Sequence, residues 1–131
     1  MDPPPQWLHE RQFAAEALSA GRARRFVRTS LLAHDLRELV DDVELVVSEL
    51  ATNAMKHAGT PFTVTLETFG HTVLVVVKDG SPTSPHQGRA GMMDTSGRGM
   101  AIVGSLSRAW GVSPGAASAK SVWALFDLDG Q

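Results

Sequence analysis

The stretch Val43-Glu44-Leu45-Val46-Val47-Ser48-Glu49-Leu50-Ala51-Thr52-Asn53-Ala54-Met55-Lys56-His57-Ala58 decides how the rest of the chain is read. Val43, Val46, Val47, Leu50 and Ala54 recur at i, i+3, i+4, i+7 and i+11, the spacing of a single buried helix face. The pattern predicts a helix from about Leu39 to Ala58. Asp41, Asp42 and Glu44 suit its electropositive start, and Gly59 followed by Pro61 stops it. At about 100° per residue, Glu49 and Asn53 fall one turn apart beside the core face, and His57 extends their stripe.

A carboxylate and a carboxamide aligned at the edge of a core face can reach one ligand together. Asn53 offers a neutral oxygen suited to a hard cation such as Mg²⁺, and Glu49 can orient or deprotonate a nucleophile. The same ExxxN pair is equally a solvated helix edge.

Downstream, Phe62, Val64 and Leu66 alternate with Thr63, Thr65 and Glu67, which predicts a half-buried strand. The apolar run Val73-Leu74-Val75-Val76-Val77 predicts a central strand, joined to the first by a hairpin at Gly70-His71. That second strand ends in Asp79-Gly80, either a carboxylate able to accept a hydrogen bond from an exocyclic amine or a simple turn. Residues 80 to 97 are rich in Gly, Pro, Ser and Thr and read as a long loop, a length that is often functional. Gly97-Arg98-Gly99 then opens a helix predicted to reach about Ala109. Glycines admit a ligand close to the backbone, a helix start binds phosphate, and Arg98 adds charge. The glycines match neither the P-loop nor the dinucleotide fingerprint. After a second loop, Pro114 to Ala119, the strand Ser121 to Leu128 closes the chain.

Upstream, residues 1–10 read as an arm, and residues 11–18 as a strand in which Phe13, Ala15 and Ala17 alternate with polar neighbours, broken by Gly21. Arg22 to Leu36 reads as a helix with Phe26, Val27 and Leu31 inward. The order of elements predicts one α+β domain over residues 11–131, a two-layer sandwich with helices on one face of a mixed, mainly antiparallel sheet.

The bulk numbers agree with a single globular domain: 131 residues, 43% hydrophobic and 20% charged. The net charge of −2 argues against a nucleic-acid partner. With no cysteine there is no disulfide, thiolate catalysis or cysteine-held zinc. Five scattered histidines, none at HxxxH spacing, argue against a histidine metal site. The N-terminus lacks a signal-peptide pattern and no apolar run approaches the ~20 residues of a membrane span, so the expected location is cytoplasmic, without membrane contact.

Taken together, these motifs resemble those of the GHKL (Bergerat-fold) ATP-binding superfamily, which includes histidine kinases, gyrase and the heat-shock chaperone ATPase. Ser48 to Ala58 resembles its N box, Asp79-Gly80 its first glycine box, and Gly97-Arg98-Gly99-Met100-Ala101-Ile102-Val103 its second. The short length, the helix with Ala23-Arg24-Arg25-Phe26-Val27 and the ending Lys120-Ser121-Val122-Trp123-Ala124 are most similar to the anti-sigma-factor serine/threonine kinases of bacterial partner-switching systems. The resemblance covers residues 11 to 128.

It implies ATP and Mg²⁺ as cofactors, Asn53 as the Mg²⁺ ligand and Glu49 as the general base. It places Asn53, Lys56, His57, Asp79, Gly80, Gly97, Arg98, Gly99, Met100, Lys120 and Ser121 in the nucleotide site. Asp79 would take the adenine amine, Arg98 and Gly99 phosphate, and Ser121 would lie near adenine, with residues 80–98 as a lid and His57 packing or capping the helix end. The implied partners are a sigma factor, which the protein sequesters, and a STAS-type antagonist, which it phosphorylates on serine. A homodimer through the sheet edge and N-terminal elements is also implied. Two departures stand out: Asp79-Gly80-Ser81-Pro82-Thr83 replaces the family's DxGxG, and Ala119-Lys120-Ser121 replaces Gly before Lys-Thr. They leave open a non-catalytic nucleotide-binding module that acts by sequestering a protein partner.

Overall fold

A computed structural model of the chain describes residues 6–57, 59–80, 97–114 and 120–128, with residues 57, 97–100 and 114 described in their backbone only. In chain order it contains strand β1 (Leu8–Phe13), helix α1 (Leu18–Ala33), a 3-10 turn (Arg37–Leu39), helix α2 (Val40–His57), strands β2 (Phe62–Phe69) and β3 (Thr72–Asp79), helix α3 (Gly97–Leu106), and strands β4 (Ala109–Pro114) and β5 (Lys120–Asp127).

Alternation builds the sheet. Phe62, Val64 and Leu66 of β2, Val73, Val75 and Val77 of β3, and Val122, Ala124 and Phe126 of β5 are all buried. The register aligns them in rows: Val64 with Val77 and Val122, Leu66 with Val75 and Ala124. Their neighbours in sequence point to the other face and stay half-buried or exposed. Gly70 turns the β2–β3 hairpin at φ 62°, a conformation an L-residue adopts at a cost. The five strands run in the order β1-β2-β3-β5-β4. Every described pairing is antiparallel, so the expected mixed sheet is an antiparallel one. The reason lies at its far edge, where β4 returns beside β5 instead of crossing over.

The helices cover one face. The stripe Val43, Val46, Val47, Leu50, Ala51 and Ala54 of α2 is buried, as is Ala23, Val27 and Leu31 of α1 and Val103 of α3. These residues and the inward face of the sheet form one continuous core. Such a two-layer arrangement is the α+β sandwich the sequence predicts.

Three element assignments differ from the sequence reading. The first strand spans Leu8–Phe13 and not residues 11–18, so much of the expected arm belongs to the sheet, with His9 paired to Leu66 and Phe13 to Phe62. Gly21 does not break the chain; it lies inside α1, because packing of the α1 stripe outweighs the roughly 1 kcal/mol that glycine costs a helix. Strand β4 occupies a stretch read as helix end and loop. Its Trp110-Gly111-Val112 gives little alternation, and pairing with β5 makes it a strand. The expected loop Pro114–Ala119 and lid 80–98 fall largely on residues 81–96 and 115–119, outside the described residues. No described helix is long and apolar enough to cross a membrane.

Candidate functional site

Helix α2 has two flanks beside its buried stripe. One faces α1: Glu44 pairs with Arg28 at 2.8 Å, and Ser48 accepts a hydrogen bond from Arg24 at 3.1 Å. The hydrogen bond to Glu44 and its charge raise the Arg28 pKa above its ordinary value. At about 100° per residue, Glu49 and Asn53 lie on the opposite flank, away from α1. Asn53 is buried at 8% exposure and Glu49 is half-buried. A buried carboxamide at a core edge is held in one orientation by its surroundings, which suits a ligand position. Lys56 is exposed, and the backbone of His57 ends the helix.

The strand β3 supplies the second group. Asp79 continues the series Val73, Val75, Val77, so its carboxylate faces the helices, and it is 3% exposed. It sits opposite Phe62 on one side and Lys120 on the other. The Lys120 ammonium approaches the Asp79 carboxylate at 3.7 Å. Gly80, exposed just beyond, donates its N–H to the Thr60 hydroxyl at 3.3 Å, which ties the exit of β3 to the turn after α2. Thr60 was not among the sequence candidates. Its position between Gly59 and Pro61 marks a turn, but nothing in the sequence says which strand end the turn meets.

The third group is the start of α3. Gly97, Arg98, Gly99 and Met100 form its first turn, where backbone N–H groups lack helical partners. The helix packs on α2 and against β4, with Val103 in the core. The side chains of Arg98 and Met100 lie outside the described residues.

The fold thus brings Asn53, Glu49, Asp79 and Lys120 to the helix-covered side of the sheet. Ser121 is placed differently. It stands opposite Lys78 and Ser113, in the alternate set of β5, and so faces away from Asp79; Lys120 is the residue of that pair on the helix side. Among the described residues no three His, Asp or Glu side chains gather into a metal cage. The donor set fits a divalent ion held by one protein oxygen, with phosphate and water completing its shell, as is usual for Mg²⁺.

The sequence model of one protein family, described as a histidine kinase-like ATPase domain, matches residues 13–120. No curated protein matches the chain.

Proposed function

The chain belongs to the histidine kinase-like ATPase domain family, and we propose that it binds MgATP and transfers phosphate to a serine of a protein antagonist, while its other partner is a sigma factor that it sequesters. The observation that carries this reading is the pairing, on one flank of α2, of buried Asn53 with half-buried Glu49 one turn before it, on the same side of the sheet as the strand-end carboxylate of Asp79. A pure binding module has no need of a carboxylate beside the metal position.

Asp79 accepts a hydrogen bond from the adenine amine, with Lys120 beside it at 3.7 Å. Asn53 gives its side-chain oxygen to Mg²⁺. The start of α3, with Arg98, receives phosphate on its first-turn N–H groups. Bound MgATP supplies the transferable phosphoryl group and neutralises its charge. Glu49 orients the partner's serine hydroxyl and accepts its proton as that oxygen bonds to the γ-phosphorus and the bond to ADP breaks. The site works in the cytoplasm with no nucleic acid involved, and a homodimer would be the assembled form.

One observation favours a second reading. The altered first glycine box, Asp79-Gly80-Ser81-Pro82-Thr83, suits a module that holds nucleotide loosely and acts by sequestration. Glu49→Gln separates the two. A kinase should retain ATP and partner binding in this variant and lose phosphate transfer by roughly 10²–10⁴-fold. The assay is labelled-phosphate incorporation into a co-purified antagonist. A wild type that binds antagonist and MgATP together yet transfers nothing refutes the kinase reading and leaves the module.

A further inference from the structure

A cleft of about 670 Å³ lies between β1 and α1 and contains neither Asn53 nor Asp79. Its volume is in the range of small-molecule sites. Arg11 lines it from the strand, and Arg22 and Arg25 line it from the helix. The two helical arginines are three residues apart and so share a face. Among the described residues no carboxylate lines the cleft, and none of the three guanidiniums has a hydrogen-bond or ion-pair partner. The neighbouring Arg24 and Arg28, on the flank toward α2, are both engaged. In a chain of net charge −2, this concentration of unpaired cations is not a consequence of bulk charge.

The cleft also contains two buried hydroxyls, Ser19 at 1% and Ser30 at 5% exposure. The Ser19 Oγ has no hydrogen-bond partner. Half-buried Phe26 supplies an apolar wall.

We infer that this cleft is a second, non-nucleotide site for a small organic molecule that carries at least two negative charges, as phosphate or as carboxylates, beside an apolar part. Guanidinium groups match both anions in a bidentate fork, and binding relieves the repulsion among the three arginines. The apolar part packs on Phe26.

The test is an amide-resolved NMR titration of the full chain with phenyl phosphate and, separately, phthalate. Neither probe is a nucleotide, so the result stands apart from the ATP reading. Saturable shifts at Ser19, Arg22, Arg25 and Ser30 are expected, with affinity weakened on the order of tenfold or more in Arg22→Gln/Arg25→Gln and unchanged in Asn53→Ala. The tighter of the two probes identifies the anionic group. The inference is overturned by an absence of saturable shifts with both probes, or by shifts confined to the Asn53–Asp79 side. Equal binding by the double variant, or binding of a Glu-rich peptide with neither small dianion, overturns it as well.

Discussion

Asp79 is a carboxylate at a strand end, turned toward the helices and matched across the ladder by Lys120. The sequence identifies it only as Asp-Gly after an apolar run; burial and the ion pair come from the register. If it reads the adenine amine, wild type should prefer ATP over GTP, because guanine presents a carbonyl there. Asp79→Asn should erode that preference, with a loss of about 1–3 kcal/mol in ATP binding, since a carboxamide is a weaker, neutral acceptor. Calorimetry with both nucleotides checks this, and equal wild-type affinities would remove Asp79 from the site. A second residue-scale feature had no sequence signal at all. His9 and His34 meet Nε2 to Nε2 at 2.9 Å, and Trp7 stacks on His34 at 4.0 Å with planes 4° apart. In this contact one ring donates and the other accepts, so two imidazolium rings cannot both keep it. Burial, then the charge of His9, lower the His34 pKa from 6.5. Below pH 6.5 the unfolded chain takes up a proton that folded His34 resists. The stabilisation is therefore present above that pH and lost as pH falls through the folded value. Urea midpoints at pH 7.5 and 5.5 should differ in wild type and differ less in His34→Gln; an equal difference in the two proteins would count against this role.

Among the elements, α2 is legible because its stripe is apolar at every expected position and its end is marked by Gly59 and Pro61. Strand β4 is the opposite case. Its central Gly111 has a low strand propensity, yet it stands directly across from Trp123. A Cβ added at Gly111 would lie 2.5 Å from the Trp123 ring, so the indole lies over the glycine and covers it. On the other face of β4, Trp110 reaches α3, where its Nε1 would be 3.1 Å from a Cβ at Gly104. One edge strand is thus held by an indole on each side, a contact no local pattern encodes. Gly111→Ala should displace Trp123 and destabilise the protein by about 1–3 kcal/mol, the usual range for forced overpacking. Denaturant unfolding gives the magnitude, and amide exchange should quicken first in β4. A neutral substitution with unchanged β4 exchange would show that the indole does not hold this edge.

For the whole molecule, ligand and fold are linked through α2, which carries Asn53 on one flank and the centre of the core on its inner face. MgATP at a hundred times its Kd should raise unfolding free energy by about 2.7 kcal/mol. Asn53→Ala should keep the fold and lose the Mg²⁺-dependent part of that gain. Thermal unfolding with ATP, with and without Mg²⁺, measures it; a full Mg²⁺-dependent gain in the variant would refute the metal assignment. The sequence by itself determined the layer arrangement, the core stripes of α1 and α2, the β2–β3 hairpin and the candidate positions Glu49, Asn53 and Asp79. Each of these is written in a local period or in a residue type at an element end, and local physics is enough to read it. The tertiary structure alone decided that the sheet is antiparallel throughout, that β4 exists, and that Gly21 sits within a helix. It also decided that Lys120, and not Ser121, shares a side with Asp79. Those outcomes depend on which strand lies beside which and in what register, and pairing energy between segments distant in sequence leaves no trace in the pattern of either one.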